Sequence, residues 1–470
     1  MRKNKQRKGF SFKKTGCLVM TILLCAGMVF GLTTKEVKAE VSWPSGITVG
    51  AESAIVMEVN TGTILYEKNS HTKRYPASIT KIMTTMLALE NCELDETVTY
   101  SEDAVYKTEG SGIYRNVGEQ MSLEDTLYAV MLESANECAY ATAEHVTGGD
   151  YDAFIKMMND RATELGCQDT NFTNPHGLPD EQHVTSAYDM ALISAAAIKD
   201  DMFRTLVSTV RYDLPATNKS LPLAMFNHHK MISNNLTAEY IYDYAIGGKT
   251  GFTQAARSTL VTYAEKDGML LVCVVMKCEG THFTDTINLF NYCFDNFQMY
   301  SVAENETRYS SDVSNSSTMM TQNEAFAQLD EDAMVILPKG ADFLETETEV
   351  SYEDGGEGAM GSLVYRYGDK VVGRADVVVT GAQVDTYDFA EGNHDIETSD
   401  ITVLQGKVEE KGNPVVLVVI IIVIAALAVF LFFVIRSKLS SRHWRNMRHP
   451  DRQYVRIRNK KRRRRRRRRY

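Results

Sequence analysis

Ser78 and Lys81 stand three residues apart in "PASITKI", directly ahead of the apolar run "IMTTMLAL". A serine hydroxyl attacks a carbonyl only when a base takes its proton, and residues i and i+3 of a helix share a face. Lysine titrates near 10.4 in water, but desolvation and a neighbouring cation lower that value until a neutral amine is available as a base. The pair therefore predicts a nucleophile with its own base. Taken alone, it is equally what a helix-start serine beside a solvated lysine would produce. Two further S-x-x-K matches exist, Ser11 to Lys14 and Ser70 to Lys73, but only Ser78 opens an apolar helical stretch.

Two more triplets change the weight of the first. "ESANE" supplies Ser134, Ala135 and Asn136, and "IGGKTGFT" supplies Lys249, Thr250 and Gly251 ahead of β-rich sequence. Each has a decoy, Ser233 in "SNN" and Lys14 in "KTG". What remains is one ordered set, S-x-x-K, S-x-N and K-T-G, with gaps of 56 residues (78 to 134) and 113 residues (136 to 249).

The elements that must carry these residues are legible from pattern. "SAIVMEVNTGTILYEK" from Ser53 reads as two strands around a turn. Helical spacing of apolar residues runs through Ser78 to Glu90, through "SLEDTLYAVMLESANECAYATAEHV" from Ser122, and through "DAFIKMMNDRATELG" from Asp152. Strands return between Ser258 and Lys277, with "EKDG" as their turn. Strands at both ends with helices between predict a mixed α/β domain whose first and last strands pair in one mostly antiparallel sheet. After about Tyr300 a polar stretch leads into short β-like runs from Met334 to Thr380, the pattern of a small all-β domain.

The ordered set, listed for β-lactamases and penicillin-binding proteins with Asp in the middle motif, gives residues 45–298 a resemblance to the serine D-alanyl-D-alanine carboxypeptidases, the low-molecular-weight penicillin-binding proteins. The segment "NFTNPHGLPDEQHVTSAYDMALI" from Asn171, the segment "YDYAIGGKTGFT" and the opening hairpin are similar to that family as well. The resemblance implies a β-lactamase/transpeptidase-like fold followed by a small β-sandwich. It also implies a reaction: Ser78 attacks the penultimate carbonyl of a peptidoglycan stem peptide ending in D-Ala-D-Ala, Lys81 takes the proton, and an acyl-enzyme forms. By the same resemblance the backbone N–H groups of Ser78 and Phe252 hold the oxyanion, and Ser134 and Lys249 handle protons near the leaving amine. Asn136 holds the substrate amide, Lys249 and Thr250 meet the terminal carboxylate, and Gly251 lets the strand approach closely. β-Lactam antibiotics are the implied covalent inhibitors. Many relatives have Gly where Ala135 stands, and some have His where Phe252 stands. His176 in "NPHGL" reads as a structural histidine held by backbone groups, and His228 with His229 as a solvated turn.

The ends of the chain address a membrane. Residues 1–39 combine seven Lys or Arg in the first 16 positions, the apolar stretch "CLVMTILLCAGMVFGL" and "VKA" before position 40, which reads as a secretory signal. Val415 to Ile435 is 21 residues without a charge, enough to cross a hydrocarbon core of about 30 Å. Eighteen Lys or Arg follow it, and such tails stay cytoplasmic. The expected organisation is signal peptide 1–39, penicillin-binding domain 40–299, linker and β domain 300–400, juxtamembrane linker 401–414, transmembrane helix 415–435 and basic tail 436–470. That is a single-pass protein of the cell membrane with its catalytic part outside and its tail against lipid headgroups.

The overall charge of −10 hides a division: residues 40–414 hold 24 basic against 59 acidic side chains, about −35. A segment so acidic is a poor partner for nucleic acid, which is not expected to bind, and the basic tail pairs more simply with anionic lipid headgroups than with RNA. Eight cysteines are present, two of them in the leader, and the remaining Cys92, Cys138, Cys167, Cys273, Cys278 and Cys293 form no C-x-x-C pair. Neither a metal nor a cofactor is expected, since no H-E-x-x-H is present. A class A β-lactamase is disfavoured because no segment between Asn136 and Lys249 resembles the loop that carries its deacylating Glu, and "DRATELG" places Glu164 in helical sequence. A non-catalytic sensor would need a separate partner, because residues 436–470 are too few and too basic to form a signalling domain. Transpeptidase or endopeptidase chemistry would use the same acyl-enzyme.

Overall fold

The computed structural model describes residues 42–235, 237–308, 327–352 and 359–379, all within one compact unit, 1–384. The expected leader, juxtamembrane linker, apolar span and basic tail lie outside the described residues. Among the described residues no helix is long and apolar enough to cross a membrane.

Five strands make the central sheet: β1 (Ser53–Glu58), β2 (Ile64–Lys68), β3 (Ala245–Thr253), β4 (Arg257–Lys266) and β5 (Met269–Cys278), in the order β2-β1-β5-β4-β3. Every pairing is antiparallel, and β1 lies against β5 from Ser53 opposite Met276 to Glu58 opposite Leu271. The first and last parts of this region thus close on each other. Local chemistry sets two of its three hairpins: the Glu58 carboxylate accepts the N–H groups of Asn60 and Thr61 at 3.1 and 2.7 Å. Asp267 and Gly268 both take positive φ, as the tight turn between β4 and β5 requires.

Both faces of this sheet are covered, so alternate residues of β1 feed different cores. Ile55 and Met57 pack with helices α1 (Lys81–Asn91), α2 (Leu123–Leu132), α3 (Asn136–Val146), α4 (Tyr151–Glu164), α5 (Ala187–Ala197) and α6 (Asp201–Ser208). Ala54 and Val56 pack on the other side with Leu289 and Phe290 of α7 (His282–Asn296). Side-chain N-caps start four of these helices: Ser122, Asp150, Ser186 and Asp200 each accept a backbone N–H.

The structure refines two sequence expectations. The helical stretch from Ser122 to Val146 is two helices, broken where Ser134 takes φ +60°. Ser78 lies in a single 3₁₀ turn, Ala77–Thr80, and the α-helix proper begins at Lys81.

Beyond α7 the chain runs directly into a second sheet. Its strands are β6 (Phe297–Ser301), β7 (Ala327–Leu329), β8 (Met334–Pro338), β9 (Glu347–Ser351), β10 (Ala359–Tyr367) and β11 (Lys370–Val379). They pair in the order β6-β8-β11-β10-β9, with β7 also on β11, around Val335, Leu337, Tyr365 and Val372. The β-like runs of the sequence therefore form one antiparallel sheet.

Candidate active site

The turn that presents Ser78 is pinned from three directions. Thr259 of β4 donates to the Pro76 carbonyl at 2.8 Å. Thr80 donates to the Ala77 carbonyl at 2.9 Å and meets His183 Nε2 at 2.9 Å. His183 Nδ1 accepts the Thr173 N–H at 3.0 Å, so in the neutral ring Nε2 carries the proton and donates to Thr80. Burial pushes the His183 pKa down to about 4, which keeps the ring neutral.

Two backbone outliers flank the nucleophile's surroundings. Ala77, immediately before Ser78, has φ +53°, and Ser134 has φ +60°. Such left-handed conformations in non-glycine residues are sparsely populated and collect at functional sites. Two glycines are demanded by the same crowding. A Cβ on Gly177, at φ +87°, would lie 1.9 Å from the Ala77 carbonyl oxygen, and a Cβ on Gly251 would lie 2.9 Å from the Ser78 nitrogen.

Lys81 is wholly buried, and its Nζ is 3.2 Å from Ser78 Oγ, 2.6 Å from Asn136 Oδ1 and 2.6 Å from the His176 carbonyl oxygen. Burial, and after it the charge of Lys249, push its pKa well below the ordinary lysine value, with Glu137 opposing. The valence count fits a neutral amine: two N–H groups serve the two carbonyl acceptors, and the lone pair is left for the Ser78 hydroxyl. In that state the serine O–H donates to nitrogen, the arrangement from which its proton can be taken.

The acceptor at His176 is held by a loop tied to its neighbours through backbone and side-chain hydrogen bonds. Asp189 of α5 accepts from Asp169 N and Thr170 Oγ1, each at 2.7 Å. Asn159 of α4 accepts from Phe172 N at 2.8 Å, and Asn174 Oδ1 accepts from Gly177 N at 2.7 Å. The His176 ring accepts the Leu178 N–H on Nδ1 at 3.2 Å, as expected for a structural histidine.

The other predicted site residues surround this pair to different degrees. Asn136 bridges, donating from Nδ2 to the Glu109 carbonyl at 2.5 Å while accepting from Lys81. The Ser134 hydroxyl is buried and has no partner within the described residues. Lys249 is buried on β3, donates to the Thr250 carbonyl at 3.1 Å, and has its pKa pushed down to about 7 by burial, opposed by Glu133. Beside it on the same strand are Thr250 and Gly251, opposite Leu260 and Thr259 of β4. The Phe252 side chain is 63% exposed, so its backbone alone belongs to the strand. β3 is an edge strand; its start is covered where Gly247 lies against the Val207 carbonyl of α6.

Sequence reasoning missed several members. The His176 carbonyl, Glu109 carbonyl and Glu133 carry no motif, and only the fold brings them in. His229 is a correction: instead of lying in a solvated turn it is buried, with Nε2 2.9 Å from Thr262 Oγ1 and its pKa pushed down to about 3 by burial. His228 alone is exposed, 3.2 Å from Glu133. The decoy Ser70 is occupied by Glu67 at 2.9 Å.

A family model described as D-alanyl-D-alanine carboxypeptidase matches residues 37–280. The D-alanyl-D-alanine carboxypeptidase DacF of Bacillus subtilis is 32% identical over 263 residues, 55% of this chain and 65% of that protein. A D-alanyl-D-alanine carboxypeptidase of Streptomyces sp. is 31% identical over 259 residues, 53% of this chain and 88% of that protein. Among solved structures, penicillin binding protein 5 of Haemophilus influenzae superposes with a TM-score of 0.56 at 25% identity, covering 72% of this chain and 98% of that one.

Proposed function

Because this chain belongs to the D-alanyl-D-alanine carboxypeptidase family, we propose that it removes the terminal D-Ala from peptidoglycan stem peptides through an acyl-enzyme on Ser78 and that β-lactams acylate the same serine. The observation that carries the reading is the contact of 3.2 Å between Ser78 Oγ and the amine of Lys81, a lysine wholly buried and depressed in pKa.

In this mechanism the neutral Lys81 takes the Ser78 proton as Oγ adds to the penultimate carbonyl. The tetrahedral oxyanion is held by the backbone N–H groups of Ser78 and Phe252, which cost no reorganisation because the turn and strand are fixed beforehand. The amine of D-Ala leaves with a proton delivered through Ser134, whose buried hydroxyl has no partner among the described residues. Charged Lys249, with Thr250, receives the terminal carboxylate, and Asn136 positions the peptide amide. Water then hydrolyses the ester. Release of D-Ala from a synthetic stem pentapeptide tests the reading: stoichiometric release supports it, and a folded protein that releases none contradicts it.

Glu164 does not supply the deacylating carboxylate that the β-lactamase alternative needs. Glu164 ends α4, exposed, and pairs with Arg161 at 3.1 Å. The place of work rests on sequence alone: export by residues 1–39, retention by a span at 415–435 and a cytoplasmic tail against anionic lipid. Protease added to intact wall-stripped cells should then remove residues 40–414 and spare an epitope placed after Arg442; loss of that epitope in sealed cells contradicts the topology.

A further inference from the structure

The two helices whose first residues are Lys81 and Asn136 bring a second group of side chains together at their other ends. Cys92 caps the C-terminus of α1, His145 lies in the last turn of α3, and Glu96 lies on the short connection after α1. One ligand atom from each, Sγ, an imidazole nitrogen and a carboxylate oxygen, falls within 4.8 Å of the other two. We propose that Cys92, Glu96 and His145 form a zinc site with its fourth position open to water.

The donor set fits that ion. Thiolate, imidazole and carboxylate together suit Zn²⁺, and three protein ligands with one water is a familiar tetrahedral arrangement. With Zn–S about 2.3 Å and Zn–N or Zn–O about 2.0 Å, tetrahedral ligand atoms stand roughly 3.3 to 3.6 Å apart. Glu96 Oε2 and His145 Nε2 are already at 2.9 Å, so the ion separates them slightly and draws the sulfur in. The Cys92 thiol gives its proton to solvent as the Zn–S bond forms.

The site is also supported from outside. Glu96 Oε1 accepts the Glu93 N–H at 2.8 Å, which orients the carboxylate and leaves Oε2 for the metal. The connection is tied to α2 by Leu123 N to the Glu96 carbonyl at 2.8 Å and Glu124 N to the Leu94 carbonyl at 3.0 Å. The His145 side chain is 17% exposed and that of Glu96 42%, so an ion reaches them from solvent. None of the three side chains takes part in the chemistry proposed for Ser78. Eleven residues at about 1.5 Å each put this end of α1 roughly 16 Å from Lys81. The metal would clip together the far ends of the two helices that carry the base and its acceptor.

Titration of the reduced, purified full chain with Co²⁺ tests the site. The expected result is one Co²⁺ per chain with sulfur-to-cobalt charge-transfer absorption, displaced by Zn²⁺, and no such band in Cys92→Ser at unchanged circular dichroism. His145→Ala and Glu96→Gln should each weaken Zn²⁺ binding by at least the roughly 10- to 100-fold that losing an outer-shell partner costs. Absence of the band in the folded wild type, its persistence in Cys92→Ser, or undiminished Zn²⁺ affinity in both ligand variants would overturn the proposal.

Discussion

Helices α1 and α3 have two very different ends. At their starts, Lys81 and Asn136 meet in a buried, strained setting where Ala77 and Ser134 have positive φ and both N–H groups of the neutral amine are assigned. At their finishes, Cys92 and His145 lie half-exposed or near the surface, beside an ion-pair group in which Arg161 joins Glu90 at 2.8 Å and Glu164 at 3.1 Å. The same two helices thus place a lysine where burial depresses its pKa, and a thiol, a carboxylate and an imidazole nearer the surface, where solvent reaches them. Environment, more than residue type, separates the end proposed for catalysis from the end proposed for metal binding.

Substitutions at the two ends should differ accordingly. Lys81→Arg keeps a cation but cannot offer a neutral amine, so penicillin acylation should fall by about 10²- to 10⁴-fold while circular dichroism stays native. Acylation at a near wild-type rate would remove Lys81 as the base. Gly177→Ala presses a methyl onto the Ala77 carbonyl from a backbone suited to glycine; destabilisation by about 1 to 3 kcal/mol in denaturant melts is expected. An unchanged midpoint would mean the turn before Ser78 is not tightly held.

A pH profile sharpens the reactive end further. Lys249 must be charged to hold a carboxylate, and its pKa of about 7 means that charge is present below pH 7 and lost above it. Stem-peptide kcat/KM should therefore decline by about tenfold per pH unit on the alkaline side, and Lys249→Arg should carry the decline to higher pH. A profile whose alkaline limb is the same in both proteins would separate Lys249 from carboxylate binding. The smallest effect belongs to the far end: Glu164→Gln should change acylation and deacylation by no more than about twofold, as surface substitutions do. A large loss of deacylation would revive the β-lactamase mechanism.

The reactive end was legible in the sequence to the extent that its groups are side chains in short motifs. Ser78 and Lys81, Ser134 and Asn136, and Lys249 to Gly251 could be read because their spacing is local. The His176 carbonyl could not, since a main-chain oxygen 95 positions from Lys81 leaves no mark in residue type. Nor could the break at Ser134, where apolar periodicity continues through "MLESANECA" although the backbone turns left-handed. "HH" read as solvated because both residues are polar, yet Thr262 gives His229 a buried partner. The zinc ligands escaped for a related reason: positions 92, 96 and 145 match no compact metal motif, and only the packing of α3 against α1 brings the third within reach.

The central claim is that one serine is activated and the others are not. Mass spectrometry of the peptides recovered after brief treatment of the purified protein with penicillin locates the acylated residue. The adduct should lie on Ser78 alone, because among the described residues that hydroxyl is the one with a buried amine at 3.2 Å. An adduct on Ser70 or Ser134, with Ser78 unmodified, would contradict the account.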